Sequence, residues 1–368
     1  MTVTTAPYSS LVTEQLYIGG WREGTSERTA TDTNPFNDET IATIRQASRE
    51  DVDAAYETAQ AAQVGWAALA PKKRAQILNK AADWIEENRA AVVALIRAES
   101  GSTAIKANIE TGLAIGSLRE AATFPTRITG QILPSNTPGK TNYVFREPLG
   151  VVGVISPWNF PFTLSMRSVA PALGCGNAVV LKPASDTPLT GGLLLATIFE
   201  AAGLPEGVLG VVVGAGSEIG DYFGEHRIPR LIAFAGSTPV GKCVGRAAVG
   251  GEHMKKVSLE LGGNAPLVVL DDADMEQAVG GATLGKFLHQ GQICMSVNRI
   301  IVQAPVYDEF VAAYAERVKT LAYGDQLDDA TVVGPLVNDS QVKSVTAKIE
   351  QARAEGAREV VAGPIEGR

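Results

Sequence analysis

Residues 151–161 read Val151-Val152-Gly153-Val154-Ile155-Ser156-Pro157-Trp158-Asn159-Phe160-Pro161. Five residues rich in β-branched side chains lead into a loop that prolines stiffen on both sides. The run has no polar alternation, so it suits a strand covered on both faces. Ala178–Leu181, Leu209–Val213 and Leu231–Ala235 share its character. Helical stretches separate these runs, for example Leu189 to Ala201 with Gly203 as its stop. Such alternation predicts a parallel sheet with helices on its faces, an α/β fold. Past Gly263 the rhythm repeats: strand Leu267–Leu270, helix to Phe287, strand Ile300–Val302, helix Val306 to Thr320. A second α/β domain is therefore expected, with the boundary at Gly262-Gly263. That divides the chain into residues 1–262 and 263–368.

Upstream of the quoted stretch the chain is less regular. Residues 1 to 47 predict short strands punctuated by Gly19-Gly20 and Asn34-Pro35. Ser48 with Asp51 three residues later predicts a capping box opening a helix to about Gln63. Lys72 to Ser100 reads as one long Ala-rich helix stopped by Gly101, and Ile105 to Thr123 as a third. Residues 126–145 predict a β excursion turning at Pro138-Gly139.

Composition narrows the function. The 368 residues are 45% hydrophobic with a net charge of −8. An acidic balance argues against nucleic-acid or anionic-membrane partners. No run approaches membrane-spanning length. Met1 to Ser10 lacks a basic start and an apolar core, so no secretion signal is expected. Cys175, Cys243 and Cys294 are far apart, which fits a reducing cytoplasm and no zinc site. Cys175 and Cys243 fall on predicted sheet elements. His226, His253 and His289 have no metal-pair spacing.

Two stretches carry candidate chemistry. Phe287-Leu288-His289-Gln290-Gly291-Gln292-Ile293-Cys294-Met295-Ser296 holds a cysteine behind a Gly-Gln turn. Val257-Ser258-Leu259-Glu260-Leu261-Gly262-Gly263 places one acid on an apolar strand. A carboxylate there is expensive to bury, which suggests a tuned base facing the cysteine. The plainer reading makes Cys294 a core thiol and pairs Glu260 with a lysine such as Lys255. Two glycine turns add to these stretches. Gly214-Ala215-Gly216-Ser217-Glu218-Ile219-Gly220 nearly matches a dinucleotide fingerprint, with one residue too many. Gly236-Ser237-Thr238-Pro239-Val240-Gly241 offers a hydroxyl and free helix N–H groups as an anion cradle. Two such turns in one sheet suggest a bound dinucleotide. Asn159 brings an amide donor to a strand's carboxyl end, where a site is expected. Lys182-Pro183 ends another strand, within reach of a ribose or phosphate; a solvated lysine is the equal alternative.

With these motifs in order, the chain resembles the aldehyde dehydrogenase superfamily along essentially its whole length. The carriers are Pro157–Pro161, Lys182-Pro183, Gly236–Gly241, Leu259–Gly263, Gly291–Cys294 and Gly334-Pro335-Leu336. The resemblance implies an aldehyde dehydrogenase-like fold: a Rossmann-like NAD(P)-binding domain with residues 126–145 as a bridging, oligomerisation excursion, plus an α/β catalytic domain. It implies Cys294 as nucleophile, Glu260 as general base and Asn159 as oxyanion donor. Lys182 would bind the adenosine ribose, with Ser185 beside it. Gly236 and Ser237 would meet the pyrophosphate, Gly216 and Gly220 the adenosine side, and Ile155 and Trp158 the cofactor cleft. It further implies no metal, a small-molecule aldehyde partner and a homo-oligomer.

Departures from the family pattern shape further expectations. Ser185 stands where strictly NAD-using members often carry an acid, so NADP or dual use is open. Ser168 replaces a lysine many relatives carry. The family's later Glu-x-Phe-Gly-Pro motif is absent before Arg368, so an incomplete catalytic domain, weak nucleotide binding and little turnover are expected of these residues alone. Arg167 sits where succinate-semialdehyde dehydrogenases hold a substrate carboxylate, but their partner arginine is here Leu288. Phe160, Leu164, Ile293 and Met295 complete a mostly apolar tunnel. The wording around Met166-Arg167-Ser168 and Phe287–Met295 resembles benzaldehyde- and vanillin-type enzymes, so an aromatic aldehyde is favoured over an aliphatic one. Two other readings stand: a Cys294–His289 hydrolase, which leaves both glycine turns unexplained, and a nucleotide-binding chain without turnover.

Overall fold

In the computed structural model, which describes residues 6–363 and 367–368, Val151–Ile155 is a central strand. The reading of Met1–Ser10 falls in part on Met1–Thr5, outside the described residues. The chain opens with β1 (Leu16–Tyr17) and β2 (Trp21–Arg22), then the antiparallel pair β3 (Thr29–Thr33) and β4 (Thr40–Arg45). Helices α1 (Arg49–Ala68), α2 (Pro71–Glu87), α3 (Arg89–Ser100), α4 (Ala104–Ala121) and the single turn α5 (Phe124–Arg127) follow. The hairpin β5 (Gln131–Pro134) and β6 (Thr141–Val144) is exposed at every position.

The βα alternation then runs as the sequence predicts. Its elements are β7 (Val151–Ile155), α6 (Pro161–Gly174), β8 (Ala178–Lys182), α7 (Leu194–Ala201), β9 (Leu209–Val211), α8 (Asp221–Glu225), β10 (Leu231–Ala235), α9 (Thr238–Gly250) and β11 (Lys256–Glu260). The seven-stranded sheet has the order β11-β10-β7-β8-β9-β1-β2, parallel from β11 to β9. The chain steps outward from β7 to β9, then returns to the other flank of β7. Between β7 and β10 the strand order reverses, and in such sheets the carboxyl ends of the strands at this point are where a ligand crevice is expected. Beyond it lie β12 (Ala265–Val269), α10 (Met275–Phe287), β13 (Val297–Val302), α11 (Tyr307–Lys319) and α12 (Asp339–Ala354). β12 and β13 form a separate parallel pair.

The main core lies around β7, β8 and β9. Val154, Val179, Val180, Leu181 and Leu209 are almost wholly buried there, under Phe162, Met166 and Val169 of α6 on one face. The Ser48 capping box is present: its hydroxyl accepts from Glu50 and Asp51, and the Asp51 carboxylate accepts from the Ser48 N–H. Such a cap contributes about 1 kcal/mol.

Some expected elements differ. The helix expected over Lys72–Ser100 is two helices, broken at Asn88. The Asn88 side chain donates to the Trp84 carbonyl at 2.8 Å, competing with the helix's own ladder. Gly101 does stop the second helix, in the left-handed region. The helix expected from Leu189 begins as a wide π-helical turn, Leu189–Leu193, whose first N–H groups are taken by the buried Glu99 carboxylate. Neither minor cysteine sits on a strand. Cys175 caps α6, and Cys243 lies exposed on α9.

Candidate active site

The cysteine loop is held in an unusual backbone shape. His289, Gln290 and Gly291 have φ values of 50°, 59° and 75°. Three successive left-handed residues need outside support, because two of them carry side chains. Gln290 Nε2 donates to the carbonyls of Gly101 (2.9 Å) and Pro335 (3.1 Å). The Gln292 carboxamide oxygen accepts from the Val337 N–H. This gives the Gly334-Pro335-Leu336 motif a physical reason. A Cβ at Gly334 would lie 2.5 Å from Gln290 Nε2.

Cys294 emerges from this loop exposed. Two other segments reach it. Asn159 Nδ2 donates to the Gln292 carbonyl at 2.8 Å, while Asn159 Oδ1 accepts from the Phe160 N–H. The amide is thus oriented from both sides. Past β11, Gly263 presses on the Cys294 carbonyl oxygen, 2.3 Å from where a Cβ would stand. The structure therefore brings Asn159, Gly263 and Cys294 together.

Glu260 ends β11, beside Gly236, whose N–H donates to its carbonyl. Its carboxylate is not buried: the side chain is 66% exposed and lies 3.5 Å from Arg167 on α6. That overturns the expected cost of burying an acid on this strand, since β11 is exposed at every position. It also overturns the Lys255 pairing, because the Lys255 ammonium donates to the Glu225 carbonyl. Arg167, at the position where succinate-semialdehyde dehydrogenases hold a substrate carboxylate, here faces Glu260. An exposed pair of this kind is weak and exchangeable.

The expected tunnel residues divide. Leu164, Leu288 and Ile293 are half-buried, and Met295 is exposed. Phe160 is only 5% exposed and packs inward, edge-on to His289 at 5.9 Å. Trp158 faces the same imidazole at 6.4 Å. His289 is wholly buried with neither ring nitrogen hydrogen-bonded. Burial, and then the nearby Lys106 ammonium, hold its pKa well below the usual histidine value. A neutral histidine enclosed by rings is not poised against Cys294, which removes the support for a Cys–His hydrolase.

At the β7–β10 crevice the groups suit a dinucleotide. Ile155 pairs in register with Phe234, so the ends of both strands stand side by side. Ser237 is the N-cap of α9 but makes no capping bond through its hydroxyl, leaving hydroxyl and helix N–H groups free for an anion. Gly236 leaves Phe234 room: a Cβ there would sit 2.6 Å from its ring. Lys182 is buried at the end of β8 with one partner, the Pro183 carbonyl at 3.3 Å. Burial lowers its pKa to about 8. Ser185 is exposed nearby in sequence. Gly216 and Gly220 bound a wide turn with open space above both Cα atoms. Among the described residues no cluster of three or more His, Cys, Asp or Glu side chains is arranged to hold a metal ion.

This fold and this site define a class: the chain belongs to the aldehyde dehydrogenase family, whose sequence pattern matches residues 21–368. Within the family it is similar to vanillin dehydrogenase of Corynebacterium glutamicum, 56% identical over 365 residues, or 99% of this chain and 75% of that protein. It is 50% identical to a benzaldehyde dehydrogenase of Bacillus subtilis over 95% of this chain and 72% of the relative. The crystal structure of an NAD-dependent benzaldehyde dehydrogenase from Corynebacterium glutamicum superposes with a TM-score of 0.93 at 57% identity, covering 96% of this chain and 77% of that one.

Proposed function

We propose that the protein oxidises an aromatic aldehyde of the benzaldehyde or vanillin type to its acid, with NAD or NADP as oxidant. One contact carries this reading: the Asn159 amide bonded to the backbone of the Cys294 loop at 2.8 Å. It ties that amide, our candidate oxyanion donor, to the loop that carries the exposed Cys294. The similar vanillin and benzaldehyde dehydrogenases support the substrate class.

In this proposal the Cys294 thiolate adds to the aldehyde carbon. The Asn159 amide holds the oxyanion that forms. The bound dinucleotide supplies the hydride acceptor. Lys182, Gly236 and Ser237 hold its ribose and pyrophosphate, with Ile155, Trp158, Ser185, Gly216 and Gly220 along the cleft. Glu260 then takes a proton from the water that hydrolyses the thioester. Its exposure keeps it within reach of that water, and Arg167 is the cation that holds it between turnovers. Leu164, Leu288, Ile293 and Met295 give the ring an apolar approach. We divide the chain near Gly262-Gly263, since the large sheet ends at Glu260 and the second parallel pair begins at Ala265. The exposed hairpin β5–β6, with Ile132 and Tyr143 outward, is our choice for a contact between copies. Three free cysteines suit a reducing cytoplasm.

The test is substrate ranking. Benzaldehyde should exceed succinate semialdehyde in kcat/KM, because Leu288 offers no second cation to a carboxylate. The reverse ranking would overturn the aromatic assignment.

A further inference from the structure

Lys106 and Glu110 stand one turn apart on α4, both with wholly buried side chains, and form an ion pair. A charge pair without water is costly unless every lone pair finds a partner. Glu110 satisfies this in a directed way. One carboxylate oxygen takes the Lys106 ammonium. The other accepts from the N–H groups of Phe162 (2.9 Å) and Thr163 (3.2 Å). Those are free donors of the first turn of α6, the helix that Asn159-Phe160 leads into. The Lys106 ammonium lies 4.4 Å from the centre of the Phe160 ring, a cation–π contact. The same ring lies nearly perpendicular to His289, in the left-handed turn before Cys294, with ring centres 5.9 Å apart. One buried pair therefore grips Phe160, the residue after Asn159, by its ring, and Phe162 and Thr163, just past Pro161, by their backbone.

Given the oxidation proposed above, we propose that Glu110, locked by Lys106, is a positioning residue that fixes the Asn159 amide against the Cys294 loop. Neither group touches substrate. The amide is fixed through two short chains. One runs from Glu110 through the Phe162 and Thr163 N–H groups to the start of α6, the other from Lys106 through Phe160 to His289. Loss of the clamp lets the amide drift from the Gln292 carbonyl. A misplacement of about 1 Å at a reacting group costs up to about a hundredfold in rate.

A double-mutant cycle separates positioning from mere structure. Lys106→Met/Glu110→Gln removes both charges of the pair, so neither partner is left charged alone. Its kcat/KM for benzaldehyde should fall at least about tenfold with KM little changed. In an Asn159→Ala background the same pair should cost almost nothing more. A full additive loss in that background would overturn the proposal, as would unchanged kcat/KM with the amide intact. Amide hydrogen exchange gives a readout independent of turnover. The pair should lose protection in residues 158–164 and in residues 288–295 together. Loosening confined to 158–164 would overturn the link to the cysteine loop. If the unaltered protein oxidises no aldehyde, the functional reading fails while the exchange result still decides the clamp.

Discussion

Gly263→Ala is a stringent probe of the nucleophile loop. The added Cβ would stand 2.3 Å from the Cys294 carbonyl oxygen, whereas ordinary contacts begin at 3.4 Å. The two must part by about 1 Å, and the obstacle is backbone rather than the end of a flexible side chain. The loop has little freedom to yield on the far side. Ser296 Oγ donates to the carbonyls of Gly285 and Lys286, and Gln290 is tied to Gly101 and Pro335. A shift of that size at a reacting group corresponds to about a hundredfold, or about 2.7 kcal/mol of transition-state stabilisation. Gly262→Ala is the matched control, since its nearest neighbour, Thr238 Oγ1, is 3.7 Å away. Both variants should be assayed for kcat/KM by the absorbance of reduced cofactor, with thermal melts alongside. The expected result is a folded, strongly impaired Gly263→Ala and a near-normal Gly262→Ala. Unimpaired Gly263→Ala, or equal damage from both, would refute the reasoning.

Further outcomes follow from the same geometry. Glu260→Gln should release one equivalent of reduced cofactor per site and then stall, as measured by stopped flow, if the carboxylate serves hydrolysis alone. Ser185→Glu should shift the NADP/NAD ratio of kcat/KM toward NAD by repelling a 2′-phosphate; an unchanged ratio would count against the placement. The lowered Lys182 pKa gives a pH signature. Below about pH 8 the folded protein holds Lys182 charged, and above it neutral. NADP affinity measured by calorimetry should therefore weaken as pH rises through that value, NAD affinity less so, and Lys182→Met should remove the difference.

Much of this was legible in the sequence, for identifiable reasons. Val151–Ile155 is a central strand, and a run of β-branched residues covered on both faces has few other uses. Leu231–Ala235, next to the sheet's edge strand, has one β-branched residue and alternates buried with half-buried positions, so its apolar run marks a strand but not full coverage. Asn159 and Cys294 were legible because stiff and glycine-rich loops mark them. Burial was harder to read. Glu260 was expected to be enclosed, yet the exposure of a strand depends on what lies across it, which no local pattern records. The i, i+4 spacing of Lys106 and Glu110 is one that exposed helix pairs share, so spacing alone does not mark their burial. Only the packing of α4 against α6 turns them into a buried clamp. The role of Gly334 was similarly hidden, since the Gln290 side chain that crowds it lies far away in sequence.

The return of the chain across β7 has a consequence for how the molecule is assembled. Val152 meets Val179 on one side and Leu231 on the other. The first partner lies roughly 30 residues downstream and the second roughly 80, a difference worth only about 1 kcal/mol in loop closure. Timing is affected more than stability, because distant pairings form later than near ones. During synthesis β7, β8 and β9 can pair in the order in which they leave the ribosome. The flank holding Lys182 is then in place while Leu231–Gly241 is still being made. The Gly236-Ser237 turn at the end of β10 forms last, so a nascent chain presents Lys182 before it holds the turn proposed to meet a pyrophosphate.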